Sequence, residues 1–220
     1  MDKNNIASLI DHTVLAPDAA LASFAAACEF ALANKTAAVC IPPFFVAECA
    51  RRLKGSGVKT CTVIGFPHGN TTPAAKVAEA GIAISEGADE LDMVVNIVKV
   101  KAHDWDYVRA DIAGVTGAAH DAGRKVKVIF DNCYLADDEK IRLCEICTEL
   151  RCDWVKTSTG FGPGGATLED IALMKAHIGP TVQIKAAGGI RTLEQVLAFR
   201  NAGVTRIGCS RTAEILKDEG

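Results

Sequence analysis

Val126-Lys127-Val128-Ile129-Phe130-Asp131 and Trp154-Val155-Lys156-Thr157-Ser158-Thr159 are two short, β-branched runs separated by a polar segment that opens at Asp137 with helical character. The first run is apolar at four of its six positions, close to the pattern of strands covered on both faces. Two such strands joined by a helix lie parallel in one sheet. Outward from this unit the alternation repeats. Runs at 37–41, 60–66 and 90–97 precede it, runs at 182–187 and 205–209 follow, and 8–14 supplies an eighth strand at the front. Between them, Leu21, Phe24, Ala25, Cys28 and Leu32 form one apolar helical stripe and Val108, Ile112, Val115 and Ala119 another. Helix starts are predicted at Thr72-Pro73, Asp137, Thr167 with Asp170, and Thr192 with Gln195, the last two spaced like capping boxes. Gly57, Gly87, Gly123 and Gly203 mark helix ends.

Eight units in 220 residues leave about 27 residues each, close to the minimum for a strand–helix repeat. The expected architecture is α/β, a single-domain (β/α)8 TIM barrel over residues 1–220. A doubly wound open sheet would carry a glycine-rich turn after its first strand, where this chain has Leu15-Ala16-Pro17-Asp18.

Lys and Arg number 24 against 27 Asp and Glu, a net charge of −3, with a pI near 6.0. That balance offers no basic face, so neither nucleic acid nor an anionic membrane is an expected partner. The greasiest uncharged stretch, 37–47, contains Pro42 and Pro43 and falls short of the ~18 residues of a membrane span. The opening Met1-Asp2-Lys3-Asn4-Asn5 is polar, so no secretory leader is expected, and nine scattered cysteines read as reduced thiols of a cytoplasmic protein.

Four consecutive strands carry charges where a barrel interior calls for apolar side chains. Asp92 lies in Glu90-Leu91-Asp92-Met93-Val94, Lys127 in the strand quoted first, Lys156 in the next and Lys185 in Gln183-Ile184-Lys185-Ala186-Ala187. Neighbouring strands are about 4.8 Å apart, so one carboxylate would stand beside three ammonium groups. Any one lysine could instead face outward or reach solvent at a strand end, but four adjacent anomalies point to chemistry. A free lysine has a pKa of about 10.4 and is almost wholly protonated near pH 7. Desolvation and a second ammonium alongside favour the neutral amine, which attacks carbonyls and forms a Schiff base. Lys156 and Lys185 are the candidate pair, and Asp92 with Lys127 would move protons. Gly160-Phe161-Gly162-Pro163-Gly164-Gly165, Gly188-Gly189 and Gly208 follow or end strands six, seven and eight, the usual place for a phosphate cradle in this fold.

These residues resemble the deoxyribose-phosphate aldolase family, class I aldolases that work through a lysine Schiff base. The resemblance rests on Ile10-Asp11-His12-Thr13, Ala38-Val39-Cys40, Val63-Ile64-Gly65-Phe66-Pro67, Gly87 to Val94, Val155-Lys156-Thr157-Ser158-Thr159-Gly160-Phe161, Lys185 to Arg191 and Arg206-Ile207-Gly208, which span nearly the whole chain in family order. It implies cleavage of 2-deoxy-D-ribose 5-phosphate to D-glyceraldehyde 3-phosphate and acetaldehyde. It also implies Lys156 as the Schiff-base lysine, Lys185 as its partner, Asp92 as acid/base, and Lys127 and Asp11 as supporting polar groups. Cys40 and Thr159 would line the pocket; Gly160, Gly188, Gly189, Gly208 and Ser210 would hold the phosphate. No metal or organic cofactor is implied, and a homodimer is. Phe130-Asp131-Asn132, the pair Pro42-Pro43, Ala16 and Ser210-Arg211-Thr212 depart from the usual family residues, which bears on substrate preference more than on reaction type; Arg211 would either help hold phosphate or face solvent.

Other readings compete. Cys144, Cys147 and Cys152 lack a fourth ligand at zinc-like spacing and read as core. His12, His68, His103, His120 and His177 show no metal-ligand spacing, which argues against a metal-dependent aldolase; His12 reads as a buried, hydrogen-bonded residue and His68 as a loop residue near the mouth. Ser158 and Thr159 have no visible triad partners. A non-catalytic phosphosugar-binding barrel would bind ligand without a covalent adduct, and a transaldolase-like enzyme would share the adduct but prefer a ketose donor.

Overall fold

In the computed structural model, which describes residues 6–217, eight strands close into a parallel barrel in sequence order. They are β1 (Ile10–Thr13), β2 (Ala38–Ile41), β3 (Lys59–Ile64), β4 (Glu90–Val94), β5 (Lys125–Ile129), β6 (Trp154–Lys156), β7 (Gln183–Ala187) and β8 (Arg206–Cys209). β1 pairs with both β2 and β8, so no edge remains. The helices are α1 (Leu21–Asn34), α2 (Val46–Leu53), α3 (Pro73–Ser85), α4 (Ile97–Lys101), α5 (Trp105–Asp121), α6 (Asp137–Glu149), α7 (Leu168–His177), α8 (Leu193–Ala202) and α9 (Thr212–Lys217). The polar opening at residues 1–5 lies outside the described residues.

All eight expected strands form, each shorter than its apolar run. In β6 the regular strand stops at Lys156, because the Thr157 hydroxyl turns to bond the backbone of Ala187, accepting from its N–H and donating to its C=O, both at 3.1 Å. Alternation along the strands sorts the side chains into two sets. Ile10, Val39, Leu91, Met93, Val126, Val128, Val155, Ile184 and Ile207 join one apolar core with the helix faces, including Val108, Ile112, Val115 and Ala119 of α5. The alternate residues point inward.

The α1 stripe is displaced from the expected one. Leu21 and Leu32 are 68% and 38% exposed, whereas Phe24, Ala27, Cys28 and Ala31 are buried. α1 is apolar around most of its circumference, so its own periodicity does not select a face; packing on the barrel does. Thr72, Thr167 and Thr192 each cap a helix through the side-chain oxygen. Among the described residues only Thr192 completes the reciprocal box, with Gln195 accepting from the Thr192 N–H at 3.2 Å. α6 begins at Asp137 with Glu139 accepting from the Ala136 N–H at 2.7 Å. Among the described residues no helix is long and apolar enough to cross a membrane.

Candidate active site

Register brings the in-strand charges together. Asp92 and Lys127 are Cα partners across β4 and β5, and Lys156 and Lys185 across β6 and β7. Lys127 Nζ donates to Asp92 Oδ1 at 2.8 Å, while Lys156 and Lys185 both donate to Asp92 Oδ2 at 2.7 Å. Asp92 is therefore the hub of the three lysines. It is not their sole carboxylate, as the sequence suggested. Lys185 also donates to Asp11 Oδ2, and Lys127 lies 2.6 Å from Glu90 Oε2. Arg206 Nη1 reaches Asp11 Oδ1 at 2.6 Å and Glu90 Oε2 at 2.8 Å. The indole of Trp154 lies against this layer, 4.9 Å from the Arg206 guanidinium and 5.7 Å from Lys127 Nζ.

The charges hold one another ionised. Burial pushes the Asp92 carboxyl up, but Lys127, Lys156 and Lys185 together hold it well below the usual carboxylate range. Asp11 is likewise held low against burial by Lys127, Lys185 and Arg206. Burial opposes the charge on Lys127 and on Lys185, yet Asp11 and Asp92 raise both above the ordinary lysine value. Asp92 is thus held as a carboxylate, with the Lys127 and Lys185 ammonium groups at its side.

Above this layer opens a cavity of about 280 Å³. Among the described residues, Lys156 is the one member of the charged cluster that lines it; Lys156 is 3% exposed while Lys127 and Lys185 are wholly buried. Thr159, Gly160, Gly188, Gly189, Gly208 and Ser210 line it too. Gly208 is glycine for a spatial reason: a Cβ there would lie 3.0 Å from the Ala187 Cβ and 3.3 Å from Lys185 Cε. Gly188 has φ +83° and packs against Gly165, so a side chain would be both strained and obstructed.

Cys40 is not among the lining residues. It lies in a small apolar group with Ala38, Cys61 and Val63, against which the lining residue Leu15 packs, and its sulfur is within 4.8 Å of an Asp92 oxygen. Thr13, Leu15, Phe161 and Ile190 line the cavity and were not singled out; they are ordinary strand-end and loop residues with no anomaly to notice. Asp131, with φ +56°, turns its carboxylate onto Thr159, accepting from its N–H at 2.9 Å and its hydroxyl at 3.0 Å. This departure from the family pattern therefore orients a lining residue. Arg211 is exposed, pairs with Glu214 at 3.2 Å and stays off the cavity lining.

Glu90 and Arg206 were also missed. Each shares strand parity with a residue that was noticed, Asp92 and Gly208 respectively, and that parity was the available signal. Two sets of potential metal ligands, Cys40 with Cys61 and Asp92, and Asp11 with Cys61 and Glu90, lie in this cluster. Their carboxylates are already engaged by lysine and arginine. The Cys144 thiol is pushed up to about 12 by burial, in keeping with a packing role. His12 is half-buried rather than fully buried; its ring is hydrogen-bonded to the Thr212 hydroxyl at 2.9 Å, as expected, and desolvation lowers its pKa to about 4. His68 lines a neighbouring hollow of about 210 Å³ that shares Thr159 and Phe161 with the main cavity.

Residues 6–209 match the family described as DeoC/LacD family aldolase. The chain belongs to that family. It is an aldolase, a carbon–carbon lyase. It is 53% identical over 213 residues to a deoxyribose-phosphate aldolase of Rhodopirellula baltica, covering 97% of this chain and 88% of the relative. A deoxyribose-phosphate aldolase of Thermococcus kodakarensis is 48% identical over 219 residues, covering 99% and 98%. Among solved structures, the deoxyribose phosphate aldolase of Aeropyrum pernix, described as tetrameric, superposes with a TM-score of 0.92 at 27% identity, covering 99% of this aldolase and 92% of that chain.

Proposed function

We propose that this aldolase cleaves and forms 2-deoxy-D-ribose 5-phosphate, with D-glyceraldehyde 3-phosphate and acetaldehyde as the other partners, through a Schiff base on Lys156. The observation that carries the reading is the position of Lys156: among the buried lysines around Asp92 it is the one that borders the cavity, with its Nζ 2.7 Å from an ionised carboxylate. The likeness to relatives named deoxyribose-phosphate aldolase supports the substrate. So does the cavity lining on the β6–β8 side, which is rich in glycine and, among the described residues, holds no carboxylate.

In the cleavage direction, neutral Lys156 attacks C1 of the open-chain sugar and gives a carbinolamine, which loses water to a protonated imine. A base removes the C3 hydroxyl proton, directly or through water; Asp92, held ionised, takes that role. The C2–C3 bonding pair moves into the imine to give an enamine, and C3 leaves as the aldehyde of glyceraldehyde 3-phosphate. C2 is then protonated, and water hydrolyses the imine to acetaldehyde and free Lys156. Lys185, held as an ammonium between Asp11 and Asp92, opposes a second positive charge beside it. Gly160, Gly188, Gly189, Gly208 and Ser210 receive the phosphate, Thr159 orients the sugar, and Cys40, Lys127 and Asp11 support the floor of the site. The family resemblance also carries assembly as a homodimer.

Borohydride reduction with acetaldehyde, followed by peptide mass mapping, tests the mechanism. An ethyl adduct on Lys156 is expected. A folded protein that binds phosphosugar without an adduct would replace this reading with a non-catalytic sugar-phosphate barrel, and turnover of a ketose donor in preference to deoxyribose 5-phosphate would make it a transaldolase-like enzyme.

A further inference from the structure

The charges ion-paired around Asp92 do not sum to zero. Lys127, Lys156, Lys185 and Arg206 face Asp11, Glu90 and Asp92, four cations against three carboxylates. A charge without a full partner at the floor of a largely buried site is disfavoured. How the carboxylates are shared identifies the surplus cation. Lys127 meets all three, at 2.6 Å from Glu90, 2.8 Å from Asp92 and 3.4 Å from Asp11. Arg206 meets Asp11 and Glu90 at 2.6 and 2.8 Å, and Lys185 meets Asp11 and Asp92. Lys156 meets Asp92 alone among the described residues, on the same oxygen that Lys185 uses.

Glu90 and Arg206 take no part in the steps above and do not border the cavity. We propose that they are positioning residues that set the net charge of the barrel interior, and through it the pH at which Lys156 becomes able to attack a carbonyl. The inference rests on the Schiff-base reading of Lys156. Two chains of ion pairs carry the influence: Arg206 to Asp11 to Lys185 to Asp92, and Arg206 to Glu90 to Lys127 to Asp92, both ending on the carboxylate that Lys156 touches. The carboxylates raise Lys127, Lys185 and Arg206 above their ordinary values against burial, so these three stay charged near neutrality.

Three further titratable groups stand near this layer: Cys40 on β2, Cys61 on β3, and the buried Asp131 carboxylate beyond β5, which is bound to the Thr159 N–H and hydroxyl. Cys61 lies 3.2 Å from Asp92 Oδ1 and 3.3 Å from Lys127 Nζ. Burial, with Cys40 and Asp92 nearby, pushes the Cys61 thiol well up. The Cys61 thiol therefore adds no charge near neutrality, while its hydrogen bond to Cys40 lowers the Cys40 thiol.

The decisive experiment follows two readouts against pH: the cleavage rate, and the rate at which acetaldehyde and cyanoborohydride ethylate Lys156. Wild type is compared with Glu90→Gln, Arg206→Met, Arg206→Lys and the Glu90→Gln/Arg206→Met double variant. Loss of a carboxylate in Glu90→Gln makes the interior more positive and moves the acid limb of both profiles down by about one pH unit; loss of the cation in Arg206→Met moves it up by about one. The double variant and Arg206→Lys keep the charge sum and return to within about 0.3 unit of wild type. Shifts of the same sign in the two single variants, or a lower rate with an unmoved limb, would reduce Glu90 and Arg206 to structural residues. Should Arg206→Met not fold, the sign of the shift in the near-isosteric Glu90→Gln decides. Absence of any ethyl adduct on wild-type Lys156 would instead overturn the Schiff-base reading, a separate result.

Discussion

The two faces of the barrel wall are made of opposite materials. On the outer face of β4 stand Leu91 and Met93, within a continuous apolar layer; on the inner face of the same strand stand Glu90 and Asp92. Both faces are closed to water. A fully buried ion pair also occurs in the outer layer, Lys76 with Asp111 at 2.5 Å, but there one cation meets one carboxylate, and Lys76 makes a further bond to the Val94 carbonyl at 2.8 Å. Inside, carboxylates are shared and one cation is left over. The outer face holds the fold. The inner face spends some of that stability on a lysine whose charge nothing fully matches.

That division is exposed to direct test. The largest effect is expected from Lys156→Ala, which should lower aldol turnover by about three orders of magnitude or more. Because the surplus cation goes with it, the variant should melt no lower than the parent; a large fall in Tm would show that Lys156 also carries the fold. Lys76→Met strands Asp111 without its cation and should cost about 3–5 kcal/mol in denaturant unfolding, with Lys76→Met/Asp111→Leu recovering most of it. The kcat of the folded fraction should stay within about twofold of the parent, and a larger change would join the outer pair to the site. Leu91→Ala, next to Asp92 but on the outer face, should cost about 2–5 kcal/mol with the pH–rate profile unmoved. A moved profile would mean that the two faces are coupled through the strand. Thr192→Ala removes the cap of the helix that follows the Gly188-Gly189 loop and should cost about 1 kcal/mol, a Tm fall of roughly 2–4 °C. A raised KM for the phosphorylated substrate in that variant would show that the cap also shapes the cavity.

The difference between the faces also explains what was legible in the sequence. Asp92, Lys127, Lys156 and Lys185 stood out because each interrupts a run of buried apolar residues. Glu90 and Arg206 open their strands, where charges are common and usually solvated, so parity alone did not draw attention to them. Asp11 lies in Ile-Asp-His-Thr, a strand with no apolar run to interrupt, and only the family resemblance singled it out. Cys40 was placed at the pocket but is not among its lining residues, where Leu15 packs against its group; inward parity alone does not bring a side chain to the cavity surface. In α1, apolar residues lie on too many sides for the period to choose the buried face.

Taken alone, the sequence determined the eightfold alternation of strand and helix and the four charges that do not belong in an apolar wall. Both are properties of neighbouring residues, written in local periodicity. Which carboxylate serves which cation was decided by closure of the barrel. Arg206 meets Asp11 across 195 positions of chain, and Lys185 meets it across 174, because β1 pairs with β8. Coulombic partners are set by distance through the barrel interior, a quantity that no local pattern contains.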